Sequence, residues 1–175
     1  MKLVLLVALV GALPTLGAAQ GSPSPPTWKP PVWKEYVYPE NGFAITLPSD
    51  PHPHKSGQVH NGTAYSVPLP YGGFTLSTTA ASDRCTEEVR SQSAVWEKRK
   101  DSPPEGFKLI SFREVDGTGY AGVEFVQQVP SGAMDYERWV CGAHHLYVLV
   151  AQWGRDKSEP EELPRIVDSF RILTK

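Results

Sequence analysis

The sequence is poor in cysteine, has no basic stripe, and contains no apolar run long enough to span a membrane. Its only cysteines are Cys85 and Cys141, and a long stretch of chain separates them. A redox-active pair usually has two residues between its cysteines near a helix start, so this spacing argues against thiol redox chemistry. The longest apolar run, residues 3–13, is about half of the roughly 20 residues that a membrane helix needs.

Clustered positive charge is also scarce. The formal net charge is −2, and the one basic cluster, Lys98 to Lys100, falls at the end of a predicted helix, where cations suit the helix dipole. Nucleic acid is therefore not an expected partner.

Recognised catalytic motifs are missing. The sequence has neither a Gly-x-Ser-x-Gly elbow nor a His-Glu-x-x-His pattern. The paired carboxylates at 87–88 and 161–162 fall in predicted first turns of helices, where the dipole accounts for them. We predict no catalytic residue and no cofactor. A glycosidase pair of carboxylates stays open, because its spacing is spatial and not sequential.

The first residues have the layout of an export signal. Lys2 precedes the apolar run, and the small residues Gly17 and Ala19 stand where a signal peptidase reads. The pattern predicts a cleavable signal peptide over residues 1–19 and a secreted or periplasmic protein. Residues 20–34, which are rich in proline, are predicted to be a linker, and 35–175 a single domain. In such an oxidising compartment, Cys85 and Cys141 are expected to form a disulfide.

Strand and helix signals alternate along the rest of the chain. Alternating apolar residues predict a hairpin over 35–47, a polar loop over 48–62, and two short strands near 63–67 and 74–79. A helix is predicted from about 83 to 100, followed by four antiparallel strands, a second helix opening at Ser158, and a short last strand. The strand over 146–151 is apolar on both faces and should be central. This order predicts an α+β fold with helices packed on an antiparallel sheet.

Three segments carry a family resemblance. Residues 38–48 (YPENGFAITLP), the glycine-containing strand 120–125 (YAGVEF) and the terminal segment 166–170 (IVDSF) resemble PsbP-like domains. The resemblance implies an α/β/α sandwich around a central antiparallel sheet. It also implies non-enzymatic binding, since the family includes an extrinsic photosystem II subunit, a Ran-binding protein and exported bacterial proteins. No functional residue is carried over, because the family has no fixed catalytic set.

Five histidines are the remaining candidate ligands. They are His52, His54, His60, His144 and His145. If three of these histidines lie close together, they could bind zinc or copper. The alternative is that they are solvated loop residues, with one histidine packed in the protein. Asn61 begins an Asn-Gly-Thr acceptor pattern for N-glycosylation, which has meaning only in a eukaryotic secretory host.

Two functional hypotheses follow. The first is a non-enzymatic secreted or periplasmic protein that binds a protein or cell-envelope partner, with no metal and no nucleic acid. The second is a small secreted metal-binding protein or hydrolase that uses the histidines.

Overall fold

The computed structural model describes residues 31–57, 61–70, 72–81, 85–117, 119–142 and 144–173. The predicted signal peptide, residues 20–30 of the predicted linker, and His60 lie outside the described residues. The domain limits and the leader therefore stay predictions.

Ten strands and two α-helices follow one another along the described chain, and a short 3-10 helix over Pro39–Asn41 joins the first two strands. The strands and α-helices are β1 (Lys34–Tyr38), β2 (Phe43–Leu47), β3 (His52–Lys55), β4 (Thr63–Leu69), β5 (Gly72–Ala80), α1 (Cys85–Asp101), β6 (Lys108–Gly117), β7 (Tyr120–Gln128), β8 (Met134–Gly142), β9 (His145–Trp153), α2 (Glu162–Ser169) and β10 (Arg171–Ile172). Seven strands form one antiparallel sheet in the order β3-β4-β5-β9-β8-β7-β6, and β1-β2-β10 form a second. The fold is thus α+β and dominated by antiparallel sheet.

The predicted central strand and the predicted four-strand meander are confirmed. Strand β9 lies between β5 and β8, and its residues 147–151 are all buried. Strands β6 to β9 pair in sequence order. Because β9 is covered on both faces, both sets of its alternate side chains can be apolar.

The first hairpin is anchored to the centre of the large sheet. Gly42 ends its turn in the left-handed region, with a φ of 68° that glycine adopts without strain. The Tyr147 hydroxyl donates to the carbonyl oxygens of Asn41 and Gly42, and the Asn41 amide donates to the Tyr65 hydroxyl at 2.8 Å. The motif over residues 38–48 therefore has a structural role: it attaches the first hairpin to the large sheet.

The two faces of the large sheet are covered differently. On one face, the small sheet and α2 contribute Phe43, Ile45, Leu163 and Ile166 to the main core around Tyr147. On the other face, α1 packs on β6, β7 and β8 and is joined to β8 by the Cys85–Cys141 disulfide. The predicted disulfide is confirmed. Among the described residues, no helix has the length and apolar character needed to cross a bilayer.

Two predicted elements were wrong in detail. The predicted loop over 48–62 contains β3, which pairs with β4 as an edge strand, a position where Pro53 is tolerated. The second helix begins at Glu162, not near Ser158. Pro164 explains this start, because a proline has no N–H to donate and is accepted only in the first turn of a helix.

Candidate functional site

The outermost strand of the large sheet, β6, is an open edge. It has ten residues, and no other described strand pairs with its outer side. All of its side chains are exposed or half-buried. A bulge lies between Leu109 and Ser111, and the intervening Ile110 is 51% exposed. The edge thus combines an outer side that no described strand covers with an exposed apolar side chain, an arrangement to which a further strand can be added.

The charges on β6 are sorted by face. Lys108 and Arg113 lie opposite Gln128 and Glu124 of β7, on the face that carries the main core. Glu114 and Asp116 lie opposite Val123 and Ala121, on the face that α1 covers. Because side chains alternate along a strand, one face of this edge is basic and the other acidic.

A ladder of charged side chains crosses three strands and ends at this edge. Arg113 of β6 lies opposite Glu124 of β7, which lies opposite Arg138 of β8. Arg113 Nε donates to Glu124 Oε1 at 2.6 Å, and Arg138 Nε donates to Glu124 Oε2 at 2.7 Å. The Tyr136 hydroxyl donates to the same Oε2 at 2.8 Å. We call the residues Arg113, Glu124 and Arg138 the charge ladder.

The inner part of the charge ladder is largely shielded from solvent. The side chains of Glu124 and Arg138 are each 12% exposed, and Arg138 Nη1 also donates to the Val167 carbonyl of α2 at 3.4 Å. Burial alone would raise the pKa of Glu124. Hydrogen bonds from Arg113 and Tyr136 and the charge of Arg138 outweigh it, so this pKa is lowered. Glu124 is therefore held ionised.

The outer end of the charge ladder is open. The Arg113 side chain is 65% exposed, and its hydrogen bond to Glu124 uses only Nε. Within the described chain, no acceptor bonds to its two Nη groups. The hydrogen bond to Glu124 and the charge of that carboxylate raise the pKa of Arg113, and the more distant Asp168 carboxylate adds to the rise. The free end of a guanidinium is a two-pronged donor that fits a carboxylate.

The acidic face of the same edge has two carboxylates, of which Asp116 has an ion-pair partner and Glu114 shows none among the described residues. Asp116 accepts from Arg90 of α1 at 3.3 Å, in an ion pair whose partners are both more than half exposed. Glu114, two residues earlier on that face, is exposed. Arg113 and Glu114 are thus neighbouring, opposite charges at an open edge.

A second concentration of charge lies on the α1 face of β8. Burial raises the pKa of Glu137 to about 7; the Trp139 hydrogen bond opposes that rise and the Asp135 charge adds to it. Trp139 Nε1 donates to Glu137 at 2.6 Å, while Asp135 accepts from Gln127 at 3.1 Å and Gln152 at 3.2 Å. Side chains of the protein already donate to both carboxyl groups, so we assign this pair a structural role and not a ligand site.

The described histidines do not converge. His52 and His54 lie on β3, while His144 and His145 lie at the β8–β9 turn and the start of β9, three strands away. By the strand register, His52 shares a face with Val150, and His145 points to the opposite face with Tyr147. Within the described ranges, no group of three His, Cys, Asp or Glu residues is placed to hold a metal.

Asn61 occupies an exposed turn with a φ of 54°. This left-handed conformation is one that asparagine tolerates. The turn geometry thus accounts for asparagine at this position without a glycan.

The charge ladder was not found from the sequence. Arg113, Glu124 and Arg138 appear there as isolated charges on three predicted strands. Only the register between strands shows that they face one another. The sequence offered one signal for these residues: each is a charged residue within a predicted strand.

Comparison with known proteins gives matches of structure only. No protein-family model and no curated protein matches the sequence. The solution structure of cyanobacterial PsbP (CyanoP) from Synechocystis is similar with a TM-score of 0.57 at 10% identity, over 90% of this chain and 98% of that chain.

Two further structures are more distant. The Ran-binding protein Mog1p of Saccharomyces cerevisiae has a TM-score of 0.48 at 9% identity, over 82% of this chain and 96% of that chain. A crystal structure from Bacteroides thetaiotaomicron has a TM-score of 0.46 at 12% identity, over 81% of this chain and 49% of that chain. At 10% identity, the match to CyanoP shows a similarity of fold alone. The expected resemblance is confirmed at that level: this chain has a PsbP-like fold.

Proposed function

We propose that this chain is an exported, non-enzymatic protein that binds a protein partner through the open edge of β6. The observation that carries the proposal is the ten-residue edge itself, with Ile110 exposed at its bulge. The bulge and the charged side chains of β6 discourage non-specific pairing, so the edge is suited to a partner strand of matching charge, which satisfies it by main-chain hydrogen bonds.

Export is part of the same proposal. Its support is the signal-like start of the sequence together with the Cys85–Cys141 bond, since stable disulfides belong to oxidising compartments. N-terminal sequencing of the protein from its native host should find a chain that begins at Gln20. A protein that keeps Met1 and remains inside the cytoplasm would contradict this part.

The layers of the fold suit a binding role of this kind. We class them as a variant of the α/β/α sandwich in which the small sheet shares the second outer layer with α2. Helix α1 covers β6, β7 and β8 on one face, and α2 reaches β8 through the Arg138 bond on the other. Helix α1 thus supports β6 directly on one face, and the edge of the strand is presented outward.

The test compares two exposed apolar residues on two edge strands. Ile110 on β6 is 51% exposed, and Val37 on β1 of the small sheet is 50% exposed. The tagged wild type, Ile110→Asp and Val37→Asp proteins are used to retain partners from the envelope fraction of the native host. We expect a specific partner to be retained by wild type and Val37→Asp and lost with Ile110→Asp. Equal retention by all three would show that β6 is not the binding edge.

A further inference from the structure

Resting on the proposed function, we infer that the partner segment pairs antiparallel with β6 and carries a Lys-Glu or equivalent basic-acidic step. Its acidic residue would lie opposite Arg113 and its basic residue opposite Glu114.

The acidic residue follows from the charge ladder. The ladder alternates Arg138, Glu124 and Arg113 from the inside outward, with directly opposed side chains on successive strands. A strand added outside β6 would place one side chain directly opposite Arg113, within reach of its two Nη groups. A carboxylate continues the alternation and accepts the free two-pronged donor. Lys108, on the same face of β6, adds further positive charge.

The basic residue follows from the other face. Glu114 is exposed, whereas its neighbour Asp116 is already paired with Arg90. The added residue opposite Glu114 is next in sequence to the one opposite Arg113, and it points to the acidic face. The partner therefore needs two adjacent residues of opposite charge.

The order of those residues reports strand direction. In an antiparallel pair, the residue opposite Glu114 precedes the residue opposite Arg113, which gives basic then acidic. A parallel strand would need the reverse order. Every strand pair in this sheet is antiparallel, and antiparallel pairing is the more stable per residue.

A second copy of this chain fits the edge poorly. In a two-fold antiparallel pair of β6 strands, each face of one copy continues into the same face of the other. The face with Lys108 and Arg113 would then meet itself, and so would the face with Glu114 and Asp116. Like charges placed opposite one another on neighbouring strands are destabilising.

The experiment uses two peptides of identical composition, acetyl-Thr-Val-Lys-Glu-Val-Thr-amide and acetyl-Thr-Val-Glu-Lys-Val-Thr-amide. Each is titrated into the ¹⁵N-labelled chain, and the amide shifts of β6 are followed by NMR. In the same antiparallel register, the first peptide makes both charge pairs, whereas the second places like charges opposite Arg113 and Glu114. If the second peptide shifts by one residue, it makes only one charge pair. We expect shifts confined to β6 and its flanks, with the Lys-Glu peptide bound about two- to fivefold more tightly.

A variant provides the matched control. Arg113→Gln/Glu114→Gln keeps the edge and leaves Glu124 paired with Arg138. We expect this variant to bind both peptides equally, with the shifts still on β6.

Several outcomes would overturn the inference. They are equal affinities in the wild type, a preference for Glu-Lys, no saturable shift on β6, or β6 shifts that depend on protein concentration without peptide, which would identify a second copy as the occupant. The proposed function fails separately, because partner retention that ignores Ile110→Asp would contradict it whichever peptide binds better.

Discussion

Cys85, the first residue of α1, is bonded to Cys141 near the end of β8, with a Cα–Cα distance of 5.7 Å. Around this bond, Val89 and Val123 form a small apolar cluster that lies on the face of the sheet opposite to the main core. The disulfide and this cluster together hold the beginning of α1 to the sheet.

Removing that bond should loosen α1 before it affects the sheet. For the Cys85→Ala/Cys141→Ala variant we expect a loss of about 4 kcal/mol in the free energy of unfolding at most, the limit that the chain-entropy relation sets for a loop of this size. Denaturant titration measures the total. Native-state hydrogen exchange should show faster exchange in α1 than in β9, and equal acceleration in both would contradict a separately held helix.

The centre of the charge ladder should be sensitive to substitution. Glu124→Gln leaves Arg138, only 12% exposed, without a carboxylate, and breaking a shielded pair in this way costs about 3 kcal/mol. Glu35→Gln is the control, because it removes only the exposed pair with Arg171, worth at most about 1 kcal/mol. Urea unfolding at pH 7 compares the two, and similar losses would argue against the shielding.

The same carboxylate has a pH signature. Since the pKa of Glu124 is lowered in the folded state, its contribution to stability is complete above the ordinary glutamate pKa and is lost as pH falls through the folded value. The stability difference between wild type and Glu124→Gln should therefore shrink in acid. A difference that stays constant down to pH 2 would refute this assignment.

Glu137 should give a pH dependence of the opposite sign. Its pKa is raised to about 7, so the folded state binds its proton more tightly than the unfolded chain does. That stabilisation is complete below the ordinary glutamate pKa and disappears as pH rises through about 7. Thermal unfolding from pH 4 to pH 8 should show this loss in wild type and not in Glu137→Gln. Glu97→Gln, which changes an exposed carboxylate of α1, should behave as wild type.

We expect β7 to require glycine at position 122, because β8 leaves no room for a side chain there. A Cβ at Gly122 would stand 2.2 Å from the Trp139 carbonyl oxygen of β8, whereas at Gly73 of β5 the nearest atom would be 3.8 Å away. We expect Gly122→Ala to lower the free energy of unfolding by about 1–3 kcal/mol. Gly73→Ala should be neutral or slightly stabilising, because alanine reduces the freedom of the unfolded chain. Equal effects in chemical denaturation would contradict the steric account.

Most of the elements could be predicted because their signals are local. Alternating apolar residues predicted β2, β7 and β8, and the two-sided apolar run predicted the central place of β9. In α1, Cys85, Val89 and Trp96 recur at the spacing of one helix face. Trp96 indeed stacks on Phe125 at 3.8 Å between ring centroids. Apolar residues that recur every 2 positions in a strand or every 3.6 in a helix can be recognised from neighbouring residues alone, without knowledge of a distant partner.

The elements that escaped prediction depend on a neighbour. Strand β3 has exposed side chains and two histidines flanking a proline, and it is a strand only because β4 offers main-chain partners. The candidate site escaped for the same reason. Arg113, Glu124 and Arg138 lie far apart in sequence, and only the register of β6, β7 and β8 places them opposite one another.

The sequence by itself determined the alternation of polar and apolar residues, the two helices and the pair of cysteines, since each rests on residues a few positions apart or on composition. The tertiary structure decided which strand lies at the open edge, which charged side chains contact one another, and that the described histidines lie apart. The physical reason is that side-chain direction is set within a strand, whereas cross-strand contact is set by packing of the whole sheet.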